Sequence, residues 1–253
     1  MNSNIIRQTV EQFHLLFLSQ FGQKIDKRLY ALKGGCNLRF FLRSPRYSED
    51  MDLDVQTIGL QTLRNKVNQL LTSETFQRIL AAKNIFIATY SEPKQTATTQ
   101  RWKLSLRTSD STLSIHTKLE FSRRHRIEGA RTEMVSPEII RLYQLPPIIV
   151  THYPAITACR QKIQALALRT QTQARDVFDL YILLINSEIN HAALADVIHT
   201  DGHQAKNQAM NLSFADFKGQ VLAYLPLEDQ QQYVDHSIWD NIILQVSDLL
   251  EGT

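Results

Sequence analysis

Cysteine is almost missing from this chain: Cys36 and Cys159 are the whole complement of its 253 residues. Two are too few for a disulfide framework or a structural zinc site. Long apolar runs are missing as well. The longest, such as Leu180 to Ile185, fall far short of the roughly 20 residues a membrane span needs. The first apolar stretch is interrupted by Arg7, Gln8, Glu11 and Gln12, so no secretory leader is expected. These absences point to a cytoplasmic protein with no membrane partner. An excess of one charge is lacking too, since a net +3 is too small to mark a nucleic-acid binder by itself. There is no internal repeat and no low-complexity tract. Apolar and charged fractions of 43% and 21% are those of an ordinary globular chain and argue against disorder. The length suits one large domain or two modest ones.

What the chain does have is one informative stretch. Lys33-Gly34-Gly35 leads into an apolar patch (Leu38, Phe40, Phe41, Leu42), and Arg46-Tyr47-Ser48-Glu49-Asp50-Met51-Asp52-Leu53-Asp54-Val55 follows. Alternation at period two is strand spacing, so Asp50, Asp52 and Asp54 share one face while Met51, Leu53 and Val55 enter a core. Carboxylates on one strand face repel unless a cation lies between them, and the usual cation for an all-oxygen site is Mg²⁺, often shared with substrate phosphates. An exposed acidic strand carries the same pattern. The glycine pair shifts the balance, because paired glycines turn sharply and leave backbone N–H groups open to an anion.

The surrounding pattern is α/β. Residues 3–20 read as an amphipathic helix, with Ile6, Val10, Phe13, Leu16 and Phe17 at helical spacing. Tyr30 to Leu32 is a short strand running into the glycines. Residues 36–43 form a short helix whose N-terminus favours phosphate. Residues 60–82 read as helix, followed by strands at 84–90, 101–108 and 112–121. The polar, Pro93-containing segment Glu92 to Gln100 reads as a mobile loop. In the third strand Ser114, His116, Lys118 and Glu120 share a face. The composition changes near Ser136-Pro137, and beyond Pro154 the chain is helical in pattern. Two basic runs, Arg39 to Arg46 and Arg123 to Arg126, are compatible with RNA backbone contacts.

A second charged constellation lies in that helical part. Lys162, Arg169 and Asp176 stand seven residues apart and share a face if one helix carries all three. Thr170 to Ala174 could instead be a turn, with Asp176 near a new helix start. On spacing alone, an ordinary surface ion pair explains these residues as well as a site does.

Taken in order, Lys-Gly-Gly, Arg-x-Ser-x-Asp-x-Asp, Lys-x-Glu and Lys…Ala-Leu…Arg…Arg-Asp-x-x-Asp-Leu resemble the AbiEii/AbiGii family of toxin nucleotidyltransferases, the MenT-like toxin halves of type IV toxin–antitoxin and abortive-infection systems. The resemblance covers Leu29 to Leu184. It implies a nucleotidyltransferase-fold mixed sheet with helices over residues 1–135, followed by a mainly helical C-terminal domain over 136–253 that completes the active site. It implies an enzyme of the EC 2.7.7 type. Asp50, Asp52 and Glu120 would be metal ligands, and Lys162 and Asp176 would complete the catalytic set. Gly34 and Gly35 would hold the triphosphate, with Lys33, Arg46, Ser48 and Lys118 contributing from the same motifs. Many nucleotidyltransferases carry Gly-Ser after the first strand. Here Gly-Gly-Cys stands instead, which removes a hydroxyl that could bind phosphate.

The chemistry agrees with these roles. Nucleotidyl transfer loads charge onto an anionic α-phosphate as pyrophosphate leaves, and carboxylate-held metal offsets that charge. Either Glu120 or an aspartate such as Asp50 could take the proton of the attacking hydroxyl. Asp54 lies one alternation beyond the motif and reads as a polar strand end. By resemblance the substrate is an NTP, the acceptor the 3′ end of tRNA, and a cognate antitoxin a partner. Two other readings compete: nucleotidylation of a protein hydroxyl, and a non-catalytic nucleotide-binding module.

Overall fold

Buried apolar and aromatic side chains of the first helix and first strands form much of the core, and the computed structural model, which describes residues 3–187 and 189–251, divides into two compact units. One is Met1–Phe41 with Ser48–Tyr153; the other is Leu42–Tyr47 with Pro154–Thr253.

The first unit runs α1 (Ser3–Lys24), β1 (Tyr30–Lys33), α2 (Gly34–Phe41), β2 (Asp50–Val55), α3 (Leu60–Thr72), α4 (Glu74–Ala81), β3 (Phe86–Gln95), β4 (Thr99–Thr108), β5 (Ser111–Ser122), β6 (Arg131–Met134), α5 (Pro137–Leu142) and β7 (Ile149–His152). Among the described residues the strands form one sheet in the order β3-β4-β5-β2-β1-β7-β6. The sheet is mixed: β2 runs parallel to β5 and β1 to β7, while the other pairs are antiparallel. Val10, Phe13, Phe17 and Phe21 of α1 are buried at helical spacing. Phe21 meets Tyr30 and Phe121 with ring centroids 5.1 and 5.5 Å apart, and Trp102 meets Phe121 at 5.4 Å. Met51, Leu53 and Val55 enter this same core, which turns Asp50 and Asp52 to the opposite face of the sheet.

The sequence expectations need four corrections here. The single helix over 60–82 is two, because Ser73 leaves helical backbone (φ −67°, ψ 135°) and caps α4 by accepting a hydrogen bond from the Phe76 N–H. The loop expected from Glu92 to Gln100 is mostly strand. Pro93 is tolerated because β3 is an edge strand and its register shifts between Ser91 and Lys94. The short helix begins at the glycine pair itself, at Gly34 and not at residue 36. The change at Ser136-Pro137 marks the N-cap of α5, whereas the boundary between units lies at Tyr153–Pro154. β7 stays with the first unit because Leu32 of β1 pairs with His152 and β6 pairs along it.

The second unit contains α6 (Ala155–Leu168), α7 (Ala174–Asn186), α8 (Ala195–Val197), α9 (His203–Met210), α10 (Phe214–Gln220), α11 (Leu227–Gln230) and α12 (His236–Glu251). Phe178, Phe217 and Trp239 are fully buried in it, with Phe217 and Trp239 stacked at 4.7 Å. Gly202 lies against α12 so closely that a Cβ would stand 2.6 Å from the Leu250 carbonyl oxygen. Among the described residues no helix is long and apolar enough to cross a membrane.

Candidate active site

The acidic strand gains meaning from what its neighbours place beside it. In register, Lys33 of β1, Asp52 of β2, Glu120 of β5 and Arg101 of β4 form one row across the sheet. The next row is Asp50, Lys118 and Lys103. Paired residues point to the same face, so the three predicted carboxylates and four cations share one surface.

Two adjacent acids, Asp52 and Glu120, are opposite one another, an arrangement that destabilises a sheet without a cation nearby. Side-chain cations answer part of that need. Lys118 Nζ lies 3.0 Å from Asp50 and 4.0 Å from Glu120. Arg101 reaches Glu120 Oε2 with Nε at 2.7 Å and Nη2 at 2.6 Å. The Asp52 carboxylate has no hydrogen bond or ion pair among the described residues. Burial raises its pKa, Lys118 lowers it, and the neighbouring Glu120 and Asp50 raise it further. It is the group on this face most in need of a cation.

The glycine turn is built around that carboxylate. Gly34 has φ +65°, and a Cβ there would stand 3.1 Å from Asp52 Oδ2. Only glycine gives both the left-handed backbone and the clearance. Gly35 continues the first turn of α2. Lys33 does not point at Asp52; its Nζ lies 2.5 Å from Asp54 Oδ1. Asp54 is 1% exposed, and its second oxygen accepts from the Tyr153 hydroxyl at 2.9 Å. The residue expected as a polar strand end is thus a buried partner that fixes Lys33. Burial and the adjacent Asp54 push the Tyr153 hydroxyl pKa upward.

Behind the strand is a buried polar chain that the sequence did not reveal. Thr117 Oγ1 donates to the Glu49 carbonyl at 2.7 Å, so His14 Nε2, 2.7 Å away, donates to Thr117. Burial lowers the His14 pKa to about 3, so the ring is neutral. Cys36 Sγ is 3.4 Å from His14 Nδ1 and 3.3 Å from the Asp50 carbonyl, which also accepts from Ser48 Oγ at 2.8 Å. Helices α1 and α2 and strand β5 thereby hold the entry of β2 in place. Ser48, expected on phosphate, has its hydroxyl on this backbone.

The other predicted residues meet inside the second unit. The helix is not continuous, since α6 ends at Leu168 and α7 begins at Ala174. Even so, Lys162 Nζ lies 2.9 Å from Asp176 and 2.5 Å from Asp179. Arg169 Nε is 2.8 Å from Asp176 Oδ2. Arg46, from the short segment belonging to this unit, grips Asp179 with contacts of 3.1–3.3 Å. Both aspartates are fully buried. Burial alone would lower the Lys162 pKa, but Asp176 and Asp179 raise it. Burial would raise that of Asp179, but Arg46 and Lys162 hold it down. Asp179 is the anchor sequence reasoning overlooked, although Arg-Asp-x-x-Asp contains it.

The basic runs change character. Arg39 is committed to Glu11 at 2.8 Å, Arg46 to Asp179, and Arg123 to Gln100 and the Ile58 carbonyl. Arg43, Arg124 and Arg126 remain exposed. A cavity of about 430 Å³ in the first unit, lined by Gln8, Lys83, Asn84, Thr108 and Asp110 among others, includes none of Asp50, Asp52 and Glu120.

Among the described residues no three His, Cys, Asp or Glu side chains converge as a ready metal site, and Arg101 and Lys118 stand on oxygens of Glu120 and Asp50. The donor set nevertheless fits a hard divalent cation: three carboxylates, one without a partner, beside a turn with no Cβ.

The family model described as the nucleotidyl transferase AbiEii toxin of type IV toxin–antitoxin systems matches residues 16–237. No curated protein matches the sequence. Among solved structures, the chain is similar to MenT4, a nucleotidyltransferase toxin from Mycobacterium tuberculosis H37Rv, with TM-score 0.68 and 15% identity over 99% of this chain and 86% of that one. It is also similar to JHP933 from Helicobacter pylori, with TM-score 0.58 and 19% identity over 98% and 88% of the two chains. These likenesses establish an α/β mixed-sheet fold of the kind seen in nucleotidyltransferase toxins.

Proposed function

This chain belongs to the AbiEii nucleotidyltransferase toxin family of type IV toxin–antitoxin systems, and on that premise we propose that it transfers NMP from an NTP to a hydroxyl of an RNA acceptor, the 3′ end of tRNA. Asp50, Asp52 and Glu120 would hold Mg²⁺, which when bound supplies positive charge to the phosphates of the NTP. The observation that carries the reading is the Asp52 carboxylate, unpaired between Asp50 and Glu120 on a face otherwise supplied with cations.

The chain's own groups have distinct tasks in this reading. The Gly34-Gly35 turn brings backbone N–H groups beside Asp52 for the triphosphate. Lys118 moves from Asp50 to phosphate as a compact point charge. Glu120 or Asp50 accepts the proton of the attacking hydroxyl. Lys33 is fixed by Asp54 and adds positive potential to the row. Arg46, Lys162 and Arg169 form an ion-pair network of their own with Asp176 and Asp179, and Asp176 in the first turn of α7 also suits the helix dipole. The exposed Arg124 and Arg126 follow β5 directly and suit an RNA backbone. A cognate antitoxin is the partner the family implies.

The test is incubation with each labelled NTP, Mg²⁺ and total tRNA, using wild type, Asp50→Ala and Asp52→Ala. Label entering RNA with wild type and lost in both variants is the expected result. Label in a protein band would replace the RNA acceptor with a protein hydroxyl, and NTP binding without turnover would make the chain a binding module. Equal labelling by all three proteins would refute the site.

A further inference from the structure

We propose that Arg101 is a substrate-binding residue for the triphosphate, held on Glu120 until metal and nucleotide arrive. The inference rests on the reading of the acidic face as a metal-dependent nucleotidyltransferase site, and it assigns a residue that none of the sequence motifs contains.

Its first support is position. Arg101 is the register partner of Glu120, so its side chain emerges on the carboxylate face one strand out from the acids. Beyond it in the same row stands Lys94 of β3, and in the next row Lys103 of β4. The face therefore grades from acids on β2 and β5 to cations on β4 and β3. A substrate that carries metal at one end and a polyanionic tail at the other matches that gradient, with the tail directed toward β4.

The second support is how the guanidinium is used. Nε and Nη2 both address one oxygen, Glu120 Oε2, which leaves Glu120 Oε1 and the remaining N–H donors free for other partners. The pair is partly solvated, with side chains 33% and 21% exposed, and partly exposed ion pairs contribute little. Were Asp50, Asp52 and Glu120 to hold a divalent cation, its charge would lie beside the guanidinium and Glu120 would no longer be free to hold Arg101. A phosphate offers two anionic oxygens spaced to accept both arms of the arginine fork, which Glu120 does not do here. Releasing Glu120 and taking phosphate are then one exchange, in which no buried charge is left unpaired.

This exchange makes an unusual prediction: removing Arg101 should affect metal and nucleotide in opposite directions. With the full chain, Mn²⁺ binding without nucleotide is measured from the paramagnetic resonance of free Mn²⁺. Binding of the four α,β-methylene nucleoside triphosphates in Mg²⁺ is measured by calorimetry. Arg101→Gln is expected to tighten Mn²⁺ on the order of ten-fold, since a competing cation is gone, and to weaken the triphosphate by a similar factor. Lys103→Gln, one row away, should change both by less. If Arg101→Gln does not fold, Arg101→Lys serves: it keeps the charge but loses the fork, so Mn²⁺ affinity stays near wild type while the triphosphate weakens. Wild type binding neither probe would overturn the nucleotidyltransferase reading itself. Wild type binding both, with Arg101 variants unchanged or weakened for both together, would overturn the Arg101 assignment alone.

Discussion

Replacing Gly34 by alanine should damage the protein in two separable ways. At φ +65° an L-residue costs about 1–2 kcal/mol relative to glycine. The loss of unfolded-chain freedom returns roughly 0.5 kcal/mol, so a net destabilisation of about 1 kcal/mol is expected. For a chain of this size that lowers the melting temperature by about 2–4 °C. Independently, the new Cβ would stand 3.1 Å from Asp52 Oδ2, closer than such contacts tolerate, and the carboxylate must move by a few tenths of an ångström. Misplacement of an active-site group by about 1 Å costs on the order of 100-fold in rate, so roughly ten-fold is expected here. Gly34→Asn separates the effects. Asparagine tolerates left-handed backbone and should recover much of the stability, yet it carries the same Cβ and should stay slow. Thermal melts and labelled-NTP transfer to RNA read the two quantities. Alanine and asparagine variants that are both as fast as wild type would refute the argument that the glycine clears Asp52.

Two further outcomes follow from buried charge. Asp179→Ala leaves Arg46 and Lys162 without their shared anion inside the second unit, a loss of about 3–5 kcal/mol readable by urea unfolding; a change below 1 kcal/mol would show that water compensates the network. His14 gives a pH signature: its folded pKa of about 3 lies below the ordinary 6.5, so the unfolded chain binds its proton first and stability falls as pH drops from 6.5 toward 3, at about 1.4 kcal/mol per unit. His14→Gln should be less stable at pH 7 and flatter between pH 7 and 5, and an unchanged acid slope would contradict the buried neutral ring.

The acidic strand was legible because its two sets of residues obey different rules: Met51, Leu53 and Val55 had to be buried, and period two then fixed where Asp50 and Asp52 point. The Gly34 turn was legible because a left-handed backbone favours glycine, and Gly34 has φ +65°. Arg101 was not legible. The turn that pairs Thr108 with Ser111 would, by simple counting, set Arg101 against Lys118. A register shift between Leu106 and Thr108 moves it by two and sets it against Glu120, and bulges leave little trace in composition. Asp54 was misjudged because periodicity shows which face a side chain takes, whereas its neighbours Lys33 and Tyr153 come from 21 and 99 residues away. Lys162 and Asp176 were matched by motif order, and of the two arrangements left open between them the structure has the turn, with α6 ending at Leu168 and α7 starting at Ala174; the turn returns both residues to one ion pair.

The assignment of Leu42–Tyr47 to the second unit has a consequence for synthesis on the ribosome. Arg46 emerges 133 residues before Asp179. At about 5–20 residues per second the guanidinium waits roughly 7–27 s for its carboxylate. The first unit ends at Tyr153, so all of it is synthesised before the later partners of the Leu42–Tyr47 segment exist. A fragment starting at Pro154 would never receive it, so Asp179 and Lys162 would fold without Arg46. Order of synthesis therefore leaves Asp179 without its arginine in any C-terminal fragment, and Lys162 alone must hold both Asp176 and Asp179 beside Arg169.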